Sequence, residues 1–229
     1  DRAPKLKMVS NLAVGYNNLS IDLFKERGIM STNTPNVLTN ATADLAFGLL
    51  IATARRLVEG ADYLRAGEWK GWSPMQLTGM EVSGATIGII GMGRIGSAVA
   101  RRSRGFDMEV LYHNRNRKYE HEEMYGFRYR QLDDLLKESD FVVVLTPYTA
   151  ETHHLIGERE LKLMKKTAVL INVSRGGIVD EDALYNALLN KDIWAAGLDV
   201  FEKEPIALDH PLLTLPNVVA LPHIASASV

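Results

Sequence analysis

The chain has 229 residues, 46% of them hydrophobic and 24% charged, with a formal charge of −2. That apolar content suffices to bury a core in one large or two modest domains, and the balanced charge excludes nucleic acid and anionic membranes as main partners. Cysteine is absent, which removes disulfides, thiolate nucleophiles and thiolate metal sites and fits a reducing, cytoplasmic setting.

In chain order, Asp1-Arg2-Ala3-Pro4-Lys5 has neither an initiating methionine nor a signal-peptide pattern, so the chain is expected to begin part-way through a longer protein. An apolar run then ends in Asn11-Leu12-Ala13-Val14-Gly15. A helical stretch, Ile21 to Arg27, and a second run, Gly28 to Thr32, follow it. One or two strands do not make a stable sheet, so residues 1–39 are expected to be part of a second, smaller domain. Residues 40–70 carry apolar positions at 45, 49, 50 and 57, behind Asn40 and Thr42 as candidate caps, which predicts one long connecting helix. Its longest apolar run, Leu45 to Ala54, is too short to cross a bilayer and meets Arg55 and Arg56. In residues 71–229, apolar runs at Thr86–Ile90, Glu109–Tyr112, Phe141–Leu145, Ala168–Val173, Ile193–Val200 and Val218–Leu221 alternate with helical patterns. Those helices are Ile95–Arg104, Leu132–Lys137, Glu158–Met164 and Glu181–Leu189. Such alternation predicts an α/β fold, a doubly wound parallel sheet of Rossmann type.

Gly91-Met92-Gly93-Arg94-Ile95-Gly96 leaves the first of these strands and opens a helix. In that setting the first glycine permits a tight turn, the second lets backbone approach a pyrophosphate and the third allows close helix packing. A dinucleotide site is therefore expected. About 20 residues on, an NAD site carries an acid for the ribose hydroxyls; this chain reads His113, Asn114, Arg115, Asn116, Arg117, Lys118. An acid would repel the 2′-phosphate of NADP, whereas Asn114, Arg115 and Asn116 can bind it, with Arg117 and Lys118 nearby. The favoured reading is NADP, with NAD possible. The plainer alternative is a solvated basic turn.

Three more stretches sit at predicted strand ends: Asn172-Val173-Ser174-Arg175-Gly176-Gly177, Gly197 to Pro205, and Leu221-Pro222-His223-Ile224. An arginine, an acid and a histidine meeting in one crevice would suit hydride transfer to a carbonyl. Together with GMGRIG, the stretches NVSRGGIVDEDAL, AAGLDVFEKEP, LPHIASAS, AVGYNN and TNTPNVLTNATADLAFGLL run through essentially the whole chain. In them the chain resembles the D-isomer-specific 2-hydroxyacid dehydrogenases, and most of all the glyoxylate/hydroxypyruvate and 2-ketogluconate reductases.

The resemblance implies a flavodoxin-like substrate domain, of which residues 1–39 are part, beside the dinucleotide-binding domain. It implies that Arg175 binds the substrate carboxylate and carbonyl, with backbone amides of Val14 and Gly15 beside it. It also implies that His223 protonates the carbonyl oxygen with Glu204, rather than Glu202, as its acidic partner; such a carboxylate stabilises the charged imidazolium. Thr42, Val173, Ser174 and Asp199 match cofactor contacts, Asp199 facing the nicotinamide carboxamide. Ala225 stands where a glycine is usual, and the family pattern also has an N-terminal stretch and a C-terminal helix beyond these residues. A homodimer is implied, with Trp69 and Trp72 on its arm.

His153 and His154 lack partners at metal-ligand spacing, and His121, among Glu120, Glu122 and Glu123, reads as part of a solvated face. Two functional classes follow: an enzyme reducing a small 2-keto acid, or an interaction module of the same fold that senses NAD(P)(H). A sensor of NAD(H) would be expected to keep the acid that this chain lacks.

Overall fold

A computed structural model describes residues 3–229. Two short parallel strands, β1 (Met8–Ser10) and β2 (Met30–Thr32), pair with Met8 opposite Met30 and are joined through α1 (Ile21–Glu26). They form a sheet of their own.

The connecting segment is two helices, α2 (Thr39–Ala54) and α3 (Leu57–Arg65), instead of the single helix expected from its periodicity. The break has a distant cause. Met80 N–H donates to the Ala54 carbonyl at 2.8 Å, and a side chain on Gly79 would come within 2.2 Å of that oxygen, so the returning chain caps α2 at this point. Arg56 absorbs the turn in a left-handed conformation, φ 53°, and forks onto Glu59 at 2.6 Å. The helix also starts earlier than Asn40 and Thr42 suggested: Leu38 holds the cap position without a side-chain bond, and Thr42 is buried within the first turn.

Seven parallel strands make the main sheet: β3 (Thr86–Ile90), β4 (Glu109–His113), β5 (Arg128–Tyr129), β6 (Phe141–Val144), β7 (Val169–Asn172), β8 (Ala195–Leu198) and β9 (Val218–Ala220). Their spatial order is β5-β4-β3-β6-β7-β8-β9. Helices α4 (Arg94–Ser103), α5 (Tyr119–Tyr125), α6 (Leu132–Glu138), α7 (Glu158–Leu163) and α8 (Glu181–Leu189) connect them. Alternate strand residues enter two cores. Ile87, Ile89, Val143 and Ile171 pack with α2 and α4 on one face, while Ile90, Val142, Val144 and Leu170 pack against α6, α7 and α8 on the other. Burial on both faces explains the unbroken apolar runs.

The chain winds outward from β3 through β4 to β5, then returns to β6 and winds the other way to β9. The crevice at the carboxyl ends of β3 and β6 is therefore the switch point at which such sheets bind ligands.

Candidate active site

At that switch point the three loop glycines have distinct surroundings. Gly91 has φ +105°, and a Cβ there would lie 2.7 Å from backbone of Leu145 and Thr146; one on Gly96 would lie 2.3 Å from the Gly91 carbonyl. Both are tight, backbone-on-backbone approaches that fix α4 under the loop. A Cβ on Gly93 would meet nothing within 4 Å. The loop thus leaves an open cradle over the start of α4, where Arg94 and Ile95 stand and where the first N–H groups lack intrahelical partners. A pyrophosphate fits that cradle.

The end of β4 presents no carboxylate. His113 turns its Nδ1 to the Arg130 carbonyl at 3.1 Å, and the Asn114 amide is tied to the glycine loop, its Oδ1 accepting from Met92 N–H at 2.7 Å. Arg115 and Asn116 are exposed. Arg117, expected among the cations near the phosphate, is already paired. Its guanidinium forks onto Glu122, Nε to Oε1 at 2.7 Å and Nη2 to Oε2 at 2.6 Å.

The second cluster gathers at the carboxyl ends of β7, β8 and β9, which are neighbours in the sheet. Asn172, buried at the end of β7, shapes the turn: its Nδ2 donates to the Arg175 carbonyl at 3.0 Å and its Oδ1 accepts from Ser174 N–H at 3.1 Å. Val173 is buried, and the Ser174 hydroxyl bonds the Thr146 carbonyl. The guanidinium of Arg175 reaches residues 11–17, donating to Asn17 Oδ1 at 3.1 Å and lying so close to Gly15 that a Cβ there would sit 1.9 Å from Nη2. Asn11 and Asn33 pin that loop by donating to the Gly15 and Val14 carbonyls at 2.8 and 2.9 Å. Among the described residues, neither the Val14 nor the Gly15 N–H has a hydrogen-bond partner.

From Arg175 the contacts run on. Gly176 abuts the Phe201 backbone, Phe201 N–H donates to Glu204 Oε1 at 3.0 Å, and Glu204 Oε2 meets His223 Nδ1 at 2.7 Å. His223 is 44% exposed and Glu204 37%, so the pair is open to a small molecule while its geometry is fixed. Glu202 points elsewhere, to His154 Nε2 at 2.9 Å, and its N–H is held by Glu181.

Asp199, which the resemblance turns toward the nicotinamide carboxamide, here holds a backbone turn. It is fully buried, with Oδ1 accepting from Ile224 N–H and Oδ2 from Ala225 N–H, both at 2.8 Å. Burial raises its carboxyl above the ordinary range, against the pull of those two amides. Its place is to clamp the turn that carries His223, whose own φ is +54°. No sequence pattern announces this clamp, which forms only when residues 224–225 return to the end of β8. Ala225, buried at the clamp, and Thr42, buried in α2, also present little surface.

His121, expected on a solvated face, packs on α4 with Nδ1 3.3 Å from Ser97 Oγ. His153 meets the Tyr148 hydroxyl at 3.2 Å. Among the described residues no helix is long and apolar enough to cross a membrane.

Comparison with known proteins gives a consistent picture. Residues 47–225 match the family model described as D-isomer specific 2-hydroxyacid dehydrogenase, NAD binding domain. A glyoxylate reductase of Thermococcus gammatolerans is 55% identical over all of this chain and 69% of its own length. A crystal structure of a Thermus thermophilus protein superposes with TM-score 0.93 at 47% identity, over 100% of this chain and 71% of that one. The NADPH-dependent glyoxylate/hydroxypyruvate reductase of Sinorhizobium meliloti, solved with NADP and malonate, gives TM-score 0.90 at 43% identity. That match covers 99% of this chain and 70% of the reductase.

Proposed function

The chain belongs to the D-isomer specific 2-hydroxyacid dehydrogenase family and is an oxidoreductase of the nicotinamide-dependent kind, and from that premise we propose that it is an NADPH-preferring reductase of small 2-keto acids. Glyoxylate, hydroxypyruvate and 2-ketogluconate are the substrates in view, and the D-2-hydroxy acid is the product. The observation that carries the cofactor choice is the end of β4, where no acid stands and Arg115 is exposed beside the cradle. The relatives named glyoxylate reductase support the substrate class.

The residues divide the work by chemistry. Arg175 and the free N–H groups of Val14 and Gly15 hold the keto acid's carboxylate, a task suited to a fork of donors against a planar anion. His223, with Nδ1 engaged by Glu204, keeps Nε2 for the carbonyl oxygen and gives it a proton. Asp199 keeps the histidine turn in place from behind. A bound reduced cofactor would supply the hydride to the carbonyl carbon, and the loop of Gly91, Gly93 and Gly96 would hold its pyrophosphate. Val173, Ser174 and Thr42 line the nicotinamide end. Residues 1–39 contribute part of the substrate domain and 71–229 the dinucleotide domain. Exposed Trp69 and Trp72 sit on the arm by which we expect two copies to pair.

The test is a set of initial rates with the three keto acids, each with NADPH and with NADH, on the wild-type protein and Arg115→Ala. A charged hydrogen bond is worth about 1.5–3 kcal/mol, so Arg115→Ala should weaken NADPH binding about 10- to 100-fold and leave NADH nearly unchanged. Equal losses would refute the reading of the 2′-phosphate. Tight nucleotide binding without turnover on any acid would favour the sensing module instead.

A further inference from the structure

The loop from Asn114 to Lys118 is held at both ends, and its middle is left exposed. At the front, Asn114 is fastened to Met92. At the back, Lys118 N–H donates to the Tyr112 hydroxyl at 2.7 Å, and that hydroxyl donates to Glu122 Oε1, also at 2.7 Å. Tyr112 belongs to β4 and is fully buried, with its ring edge-on to Tyr129 at 5.6 Å. Burial foremost, then the bond to Glu122, pushes its phenol up to about 12, so the hydroxyl keeps its proton and its direction of donation. Glu122 meanwhile takes both arms of Arg117, and the Arg117 guanidinium lies 4.9 Å over Tyr119 and 5.5 Å over Tyr129. Arg117 is thereby neutralised and stacked on the flank of the loop. Between the two fixed points stand Arg115 and Asn116.

We propose that Tyr112 is a specificity-positioning residue for the 2′-phosphate: without touching the cofactor, its hydroxyl fixes the loop so that Arg115, and not Arg117, meets that phosphate. The inference rests on the NADPH preference proposed above. A merely structural tyrosine would affect both cofactors alike, since NADPH and NADH differ only in the group that this loop faces.

The experiment compares dissociation constants for NADPH and NADH, by calorimetric titration, in the wild-type protein, Tyr112→Phe, Arg115→Ala and the double variant Arg117→Ala/Glu122→Gln. Phenylalanine fills the same core space, and a melting curve checks that it does. Tyr112→Phe should raise the NADPH constant about five- to tenfold, the range of one net hydrogen bond, and leave the NADH constant within about twofold. The double variant removes a cation and an anion together, while the amide oxygen that Glu122→Gln retains still accepts from Tyr112. It should therefore keep the NADPH preference within about threefold of wild type. Equal changes for both cofactors in Tyr112→Phe, or no change in either, overturn the proposal. So does a double variant that loses as much preference as Arg115→Ala. If Arg115→Ala erases the preference while Tyr112→Phe keeps it, the NADPH reading stands and this inference alone fails. A wild-type protein without NADPH preference removes both.

Discussion

Gly176 is where two catalytic loops touch, and replacing it with alanine tests whether their spacing matters. A Cβ on Gly176 would lie 1.9 Å from both the carbonyl carbon and oxygen of Phe201 and 2.3 Å from the nitrogen of Glu202. Ordinary contact begins near 3.4 Å, and the clashing atoms are backbone, which cannot rotate away. The loop bearing Arg175 and the loop bearing Glu204 must therefore part by about 1.5 Å, and Phe201, whose N–H holds Glu204, moves first. Overpacking of this kind costs about 1–3 kcal/mol, and each kcal/mol lowers the melting temperature of a chain this size by about 2–4 °C. The larger effect is on chemistry. A displacement of about 1 Å between the carboxylate anchor and the proton donor costs on the order of 100-fold in turnover. Cofactor affinity should fall far less than turnover, because the glycine cradle lies on β3 and α4, apart from these loops, which reach only the nicotinamide end. The assay is steady-state turnover with a 2-keto acid, alongside NADPH titration and a melting curve. Turnover within about threefold of wild type in a folded variant would show slack between the loops and refute the reasoning.

Three further outcomes follow from the same geometry. Gly93→Ala should leave stability intact, since its Cβ meets nothing, yet weaken cofactor binding by about tenfold or more; Gly96→Ala, 2.3 Å from a carbonyl, should instead destabilise by about 1–3 kcal/mol, and melting curves with titrations separate them. His223→Ala should lower turnover by roughly 100-fold or more with cofactor affinity unchanged, and unchanged turnover would remove His223 from the mechanism. Tyr112, pushed up to about 12 by burial and then by Glu122, has a folded value above its unfolded one near about 10. Its contribution to stability is thus present below about pH 10 and lost as pH rises through about 12; an ultraviolet titration should show a phenol step that Tyr112→Phe deletes, and identical curves would refute its burial.

What the sequence displayed depends on how local each cause is. The strands β3, β4, β6, β7 and β8 are buried on both faces, so each writes a continuous apolar run, and the glycine loop is legible because its three requirements fall within six residues. Strand β5 has two residues, and α5 buries none of its own, so neither carries a hydrophobic signature. The break after Ala54 is set by Met80, which no periodicity in residues 40–70 can announce. Polar side chains obey the same rule more severely. Resemblance pointed to His223 and Glu204, which geometry brings to 2.7 Å across nineteen positions, but the hold of Asp199 on the turn that carries His223 was not legible, because residues 224–225 meet it only in the fold. The basic cluster shows why counting charges misleads. Arg115 and Arg117 are equivalent as letters, and Glu122, five residues beyond Arg117, reads as part of an acidic surface until α5 folds back and cancels one arginine. A cation's availability to a ligand is the difference between the charge a sequence supplies and the charge its own fold consumes, so a cofactor preference argued from a basic stretch becomes quantitative only once those internal pairs are known.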